Sequence, residues 1–328
     1  GFLNNRINLT VDYYHKKTRD LLQDVKIPSS TGFGSMMVNS GHITNEGLEI
    51  TGKFFVLQNT PLKWNIDANI SFNRNKIGGL ESDQFAQKLW SSADEVFIQR
   101  NGCPIGAIYG YVEDGFYDNL AEVMASPSAD IRAKGSNMIG EIKYRNMDND
   151  PNITSNDRVI IGDTNPDFVY GLTNNFEWKG ITLSFFLQGS QGNDIFNGNL
   201  MDIKMGNVGN ITKEAYDNRW TEDHIATAKW PKAVSGYERN MLISNRYVED
   251  GSYLKLKNLN IGYNWKPNFK GIDNINVYAS ITNLFTITGY SWFDPEVNAF
   301  GSDASRRGVD VYSYPSSRTF SLGLKVGF

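Results

Sequence analysis

The 328-residue sequence predicts an all-β fold, an antiparallel β-barrel that crosses a membrane with its strands. Three observations carry that prediction. Apolar residues recur at period two over long runs, the breaks between runs alternate between short and long, and aromatic residues gather at the ends of runs. Strand length argues against a soluble β-sandwich or β-helix with the same alternation. Sandwich strands average about five or six residues, whereas a tilted membrane crossing needs about nine to eleven, as found here.

In chain order, the first run places Ile7, Leu9, Val11 and Tyr13 on one side and Asn8, Thr10, Asp12 and Tyr14 on the other. Leu48, Ile50, Gly52, Phe54 and Val56 then lead to a turn at Gln58-Asn59-Thr60-Pro61, and Trp64, Ile66, Ala68, Ile70 and Phe72 return. A second hairpin reads Phe168, Tyr170, Leu172, Phe176 and Trp178, turns at Lys179-Gly180, and returns as Ile181, Leu183, Phe185 and Leu187. Leu254 and Leu256 change parity to Leu259, Ile261, Tyr263 and Trp265, which predicts a β-bulge with one extra residue near Asn258. Ile275, Val277, Ala279 and Ile281 follow, and the chain closes on Phe320, Leu322, Leu324, Val326 and Phe328.

Short turns fall at 58–61, 178–180 and 266–274, and long polar stretches at about 15–45, 74–107, 112–165, 189–250 and 287–317. Short turns on one rim and long loops on the other are what an outer-membrane barrel has. Tyr13, Trp64, Trp178, Trp265 and Phe328 sit where interfacial aromatic girdles require them. A short helix is expected within the long stretches, from Ile211 to Trp220.

Composition narrows the function classes. The 19 Phe, 16 Tyr and 7 Trp with a net charge of only −4 exclude a disordered chain. The same mild acidity offers no phosphate-neutralising surface, so nucleic acid is not an expected partner. One cysteine, Cys103, excludes an internal disulfide framework and any CxxC metal site, and His15, His42 and His224 share no ligand spacing. No run of eighteen apolar residues exists, so no transmembrane helix is expected. The mean hydropathy of −0.41 is compatible with a barrel, whose apolar band hides in alternate residues. The chain begins at Gly1 with no signal region, as expected of a processed product or the later part of something longer.

Specific stretches then resemble one family. Gly140-Glu141-Ile142-Lys143-Tyr144-Arg145-Asn146-Met147-Asp148-Asn149-Asp150 precedes Asn156-Asp157-Arg158-Val159-Ile160-Ile161-Gly162-Asp163 and Asn165-Pro166-Asp167-Phe168. Tyr170-Gly171-Leu172, Phe185-Phe186-Leu187-Gln188-Gly189-Ser190-Gln191-Gly192 and Asn218-Arg219-Trp220 follow. Later come Arg246-Tyr247-Val248-Glu249-Asp250-Gly251-Ser252-Tyr253-Leu254, Thr282-Asn283-Leu284-Phe285, Asp294-Pro295-Glu296-Val297, Tyr314-Pro315 and Arg318-Thr319-Phe320. In this order they resemble the C-terminal barrel portion of the SusC/RagA family of TonB-dependent outer-membrane transporters, found in Bacteroidetes-type bacteria.

The resemblance covers almost the whole chain, so residues 1–328 are expected to be one C-terminal part of such a barrel. It implies a roughly 22-stranded barrel, an N-terminal plug, energy from TonB, and a SusD-like surface lipoprotein that helps capture glycans or peptides. Plug, TonB box and signal peptide are absent from this sequence and are expected elsewhere. The alternation supports roughly ten to twelve strands, about half of such a barrel, and in lipid a half barrel needs an N-terminal portion against its open edges. The alternatives are a siderophore or cobalamin receptor of TonB-dependent type, or a surface glycan-binding β-domain. No enzyme is expected.

One acidic loop suggests a metal. Asn146, Asp148, Asp150, Asn152, Thr154 and Asp157 fall at the 1, 3, 5, 7, 9 and 12 spacing of an EF-hand loop, a pattern of alternating oxygens that can wrap Ca²⁺. Asn146 at the first position, Pro151 where Gly is usual and the short Asp157 depart from that pattern, and an Asx-rich turn held by its own side chains is the alternative. Any calcium is expected to be structural.

The pairs Glu113/Asp114, Glu222/Asp223 and Glu249/Asp250 are neighbours in sequence, which on a strand point apart and make no catalytic dyad. No nucleophile elbow, HExxH or P-loop pattern occurs. The loop aromatics Trp90, Tyr109, Tyr111, Trp220, Trp230, Tyr290 and Trp292 offer either a sugar-stacking platform or loop packing, and no single ligand contact is named by the sequence. The last strand, ending on Phe328, resembles the terminal signal read by barrel-insertion machinery.

Overall fold

The computed structural model describes the chain except residues 27–28, 86–88, 90–94, 149, 205–209, 235–241 and 269–270. Period-two alternation becomes one eight-stranded sheet in which each strand pairs antiparallel with the next. In chain order the wall strands are β1 (Ile7–Arg19), β2 (His42–Leu57), β3 (Leu62–Gly78), β4 (Phe168–Trp178), β5 (Ile181–Gln191), β6 (Tyr253–Trp265), β7 (Asn274–Thr288) and β8 (Thr319–Gly327). Among the described residues the sheet does not close, with β1 and β8 at its edges. The wall therefore holds eight strands rather than ten to twelve. The remaining strands are two to five residues long and pair within the loops, where local packing rather than the wall takes their backbone groups.

Register converts the alternation into two unlike faces. One row runs across seven strands as Val11–Ile50–Ile70–Tyr170–Gly189–Leu254–Ile287 at the long-loop end, and a second of the same parity, Tyr263–Val277–Leu324, lies at the short-turn end of β6, β7 and β8. Leu9, Val11, Ile261, Val277, Phe320, Leu322 and Leu324 are all exposed on this outer face. Such a row of exposed apolar side chains is stable where lipid, not water, covers it. The inner face carries Asn8, Thr10, Asn65, Asp67, Asn69, Ser184, Gln188, Asn260, Ser280 and Ser321, with ion pairs Lys63–Glu177 at 3.0 Å and Lys53–Asp67 at 3.6 Å.

Turn chemistry sets the hairpin between β4 and β5. Lys179 (φ 48°) and Gly180 (φ 87°) both sit at positive φ, the twist a two-residue hairpin needs. The bulge lies one residue from the expected position. Phe186 pairs with Asn258 and Leu187 with Leu256, which leaves Lys257 as the extra residue. On the other side Leu256 pairs with Phe285 and Asn258 with Thr282, so Asn283 and Leu284 oppose Lys257, and Asn283 takes φ 53°. The shift keeps Leu254, Leu256, Leu259 and Ile261 all on the outer face.

The turns between β2 and β3, β4 and β5, and β6 and β7 are short, while the other four connections are long. Three of the long ones, 79–167, 192–252 and 289–318, fold into a shared core. Phe97, Ile108, Tyr144, Phe196, Ile243, Tyr247 and Val309 are buried together although they come from all three. A smaller cluster of Tyr117, Val123, Ile131 and Met138 packs the helices Leu120–Ala125 and Ala129–Lys134. The helix expected over 211–220 forms as Lys213–Asp217, opened by Thr212, whose side chain accepts from the Ala215 amide.

Candidate functional site

The inner face and the loops folded over its rim form the candidate site, because polar side chains of the wall and of the loops meet there. On β6, Tyr253, Lys255 and the bulged Lys257 turn to the inner side and meet the loop after β7. Lys255 is 1% exposed, and its Nζ donates to Asp294 Oδ1 at 2.8 Å and to Glu296 Oε2 at 2.5 Å. Lys257 Nζ reaches the same Glu296 oxygen at 2.7 Å, and the Tyr253 hydroxyl donates to Glu296 Oε1 at 3.1 Å. Burial works against ionisation of Asp294, yet hydrogen bonds from Lys255, Ser316 and the Glu296 amide outweigh it and hold the carboxyl below its ordinary range. Glu296 is likewise desolvated, and Lys255 and Lys257 pull its pKa down past that effect.

Beside this cluster lies a cavity of about 330 Å³ between wall and loops, lined by Gln188, Ser190, Asn193, Tyr253, Glu296 and Arg307 among others. Hydroxyl, amide, carboxylate and guanidinium groups so placed can exchange hydrogen bonds with a polar ligand, and no nucleophile paired with a base stands among these lining residues.

The loops are latched to one another by buried polar pairs. Arg246 forks onto Glu113, with Nε 3.0 Å from Oε1 and Nη2 on Oε2, while Ser244 Oγ donates to the same carboxylate at 2.6 Å. The guanidinium lies between the Phe116 and Trp230 rings, 5.5 and 5.3 Å from their centroids. Glu249 accepts from Asn197 at 2.8 Å and from the Ser291 amide at 2.8 Å, and Tyr290 donates to Asp310 at 2.6 Å. Burial and the Asp310 carboxylate raise the Tyr290 phenol above its ordinary pKa, so it stays a donor. Glu113 thus serves Arg246 while Asp114 pairs with Arg145 at 3.0 Å, and the neighbouring carboxylates share no site.

The acidic loop has a definite internal order. Asp157 is fully buried and accepts from the Met147 amide at 2.6 Å and the Thr154 amide at 2.7 Å. Thr154 and Asp157 form a capping box over Ser155–Asp157. Asp148 accepts from the Asp150 amide at 3.0 Å, Asp150 from the Asn152 amide at 2.6 Å, and Asn146 donates to the Asp150 carbonyl at 2.6 Å. The five residues Asn146, Asp148, Asp150, Asn152 and Asp157 thus share one loop, but their carboxylates are turned onto backbone amides. Among the described residues no group of three or more His, Cys, Asp or Glu converges, and the loop carboxylates are held by backbone amides.

Of the loop aromatics, Tyr109, Tyr111, Trp220, Trp230 and Tyr290 are buried in loop packing, Trp292 is half-buried, and Trp90 lies outside the described residues. Trp220 and Trp230 donate their indole N–H to Asp118 (2.9 Å) and Glu214 (3.2 Å). They pack loops and present no open stacking face. The Lys255–Asp294–Glu296 cluster was not singled out in the sequence. Its only signals are a lysine at an inward position of an apolar-alternating strand and the Asp294-Pro295-Glu296 stretch.

No family model matches the chain. Among curated proteins it is similar over its full length to TonB-dependent receptor P3 of Formosa agariphila (35% identical, 33% of that protein). It is similar in the same way to TonB-dependent receptor P26 of that organism (32%, 33% of that protein) and to TonB-dependent receptor SusC of Bacteroides thetaiotaomicron (29%, 31% of that protein). Over its whole length the chain is thus similar to about one third of a SusC-like TonB-dependent receptor. The chain spans about a third of the length of the curated relatives it matches. Its fold also matches the structure of the RagAB peptide transporter, with a TM-score of 0.74 and 24% identity over 99% of this chain and 33% of that one. The RagAB importer in its open-open state gives 0.75 and 23%. The relatives are receptors and transporters, not enzymes.

Proposed function

We propose that the chain forms part of the wall and the external loops of a TonB-dependent importer for oligomeric nutrients, glycans or peptides, working with a SusD-like surface lipoprotein. The observation that carries this reading is the two-faced wall. Its outer face is mostly apolar, its inner face is polar, and latched loops stand over the inner rim. Such a wall needs partners at β1 and β8, since each unpaired backbone group in lipid costs several kcal/mol. A plug-bearing N-terminal portion supplies them in this reading, and TonB acts through that portion. The small polar cavity beside Glu296 and Arg307 suits one residue or sugar of a longer cargo.

The test is detergent extraction of outer membranes, pull-down through this chain and mass spectrometry, followed by uptake of labelled oligosaccharides and of labelled peptides by cells with and without the protein. Recovery of a plug-containing segment and a SusD-like lipoprotein, with uptake of one cargo class lost on deletion, is the expected result. A siderophore or cobalamin receptor would instead lose uptake of those compounds and bring down no lipoprotein. Recovery of the chain alone from the soluble fraction would replace the importer with a secreted β-domain.

A further inference from the structure

The outer face of β1, β2 and β3 changes character above the apolar band. Its last apolar row is Tyr13–Leu48–Phe72. Toward the long loops the next rows read His15–Glu46–Arg74, then Lys17–Thr44–Lys76, then Arg19–His42–Gly78. Side chains on these rows keep the parity of the lipid-facing ones, so they project outward rather than into the lumen. These cationic rows lie on three adjacent strands of a chain whose net charge is −4.

Two carboxylates beside these rows, Asp167 and Glu46, are already engaged, while Asp20 lines the cleft next to Arg19. Arg74 holds Asp167 at 2.6 Å and also donates to the Pro166 and Asp167 carbonyls, and His15 lies 3.0 Å from Glu46. Lys17, Arg19 and Lys76 are exposed and have no ion pair among the described residues. Lys17 and Lys76 flank Thr44 at the same level, about 10 Å apart at two strand spacings. Two open clefts sit among these rows. One of about 450 Å³ is lined by Lys17, Arg19, Asp20 and His42, and the other, of about 550 Å³, by Glu46, Arg74, Lys76 and Asp167. Four residues beyond the Tyr13 girdle, on a tilted strand, is about 10 Å outward, the depth of the headgroup layer.

The geometry points to a binding site for the phosphorylated headgroup of an outer-leaflet lipid, formed by Lys17, Arg19 and Lys76. Long loops mark the external side, so the leaflet concerned is the outer one. Cations next to an apolar band attract anionic headgroups while the acyl chains lie along the band, and a soluble anion gains only the first of these. The site rests on the outer-membrane placement of the chain and not on the cargo.

The complete receptor, purified in detergent, is reconstituted with phosphorylated lipid A or with the same lipid enzymatically dephosphorylated, and retained lipid is counted by native mass spectrometry. Retention of the phosphorylated form is expected to fall about fivefold for each cation lost among K17Q, R19Q and K76Q, about a hundredfold for the triple variant at low salt. K16Q, whose side chain faces the lumen, is the control and is expected to retain lipid as the parent does. Equal retention of both lipids, or of one lipid by parent and triple variant, overturns the site. Displacement of lipid A by millimolar inorganic phosphate shows a free-phosphate site and overturns the lipid assignment. If the triple variant assembles poorly, K76Q alone decides, since an undiminished retention there sinks the proposal.

Discussion

Lys255 on β6 and Asp294 in the loop after β7 meet with Nζ 2.8 Å from Oδ1, the ammonium 1% exposed, and so tie a wall strand to the loop that lines the inner cavity. Asp294 also accepts from the Ser316 and Glu296 amides, so one carboxylate organises both ends of that loop. Asp294→Ala leaves Lys255 with Glu296 alone. The expected cost is about 1–3 kcal/mol, read as faster proteolysis within 289–318 while the wall stays folded.

The same tether has a pH dependence of definite sign. Asp294 and Glu296 are both held below the ordinary carboxylate range, so the native loop binds fewer protons than the released one. Their contribution is complete above that range, about pH 4, and is lost as pH falls through the depressed values. Protease cleavage of the loop is expected to be flat from pH 8 to about pH 5 and to rise below it; a rise on the alkaline side contradicts the assignment.

Asn174 interrupts the apolar outer row, and Trp64 compensates by donating its indole N–H to Asn174 Oδ1 at 3.1 Å. Its stacked contact with Phe176 (5.4 Å between centroids) adds packing. Trp64→Phe keeps most of that packing and removes the donor, for an expected loss of about 1 kcal/mol in the thermal unfolding of the assembled barrel. Combining it with Asn174→Leu should recover stability.

Phe328, 87% exposed, closes β8 on the outer parity of Leu324 and Val326. Deleting Phe328 is expected to lower the amount of barrel assembled in outer membranes, measured by heat-modifiable migration. Undiminished assembly would show that the terminal aromatic is only the end of a strand.

Asp157 carries the acidic loop through its two backbone amides. Asp157→Ala is expected to cost about 2 kcal/mol locally and to open 145–158 to protease whether or not calcium is present. Calcium-dependent protection of the unmutated loop at millimolar concentration is the outcome that would restore a metal role to Asn146, Asp148, Asp150, Asn152 and Asp157.

The wall was legible because its signal is local. Leu9 and Val11, or Leu322 and Leu324, each report their face two residues away, and the parity change from Leu256 to Leu259 reported the bulge within one residue of Lys257. The turn at Lys179-Gly180 was legible for the same reason, since the chain there has only one compact way back. The loop core was not. Tyr111 and Trp230 read equally well as stacking platform and as packing, because what buries them comes from chain segments more than a hundred residues apart.

Alternation by itself determined that this chain is a lipid-facing β-wall with short turns on one rim and long loops on the other, because side-chain direction on a strand follows from position alone. Only the tertiary structure decided what the long loops do. It set Lys255 against Asp294, Arg246 against Glu113 and Tyr290 against Asp310, and turned the carboxylates of 146–157 onto their own backbone. A buried charge has no preferred partner in sequence. It takes whichever opposite charge the fold brings within reach, and the cost of leaving it unpaired makes that choice binding.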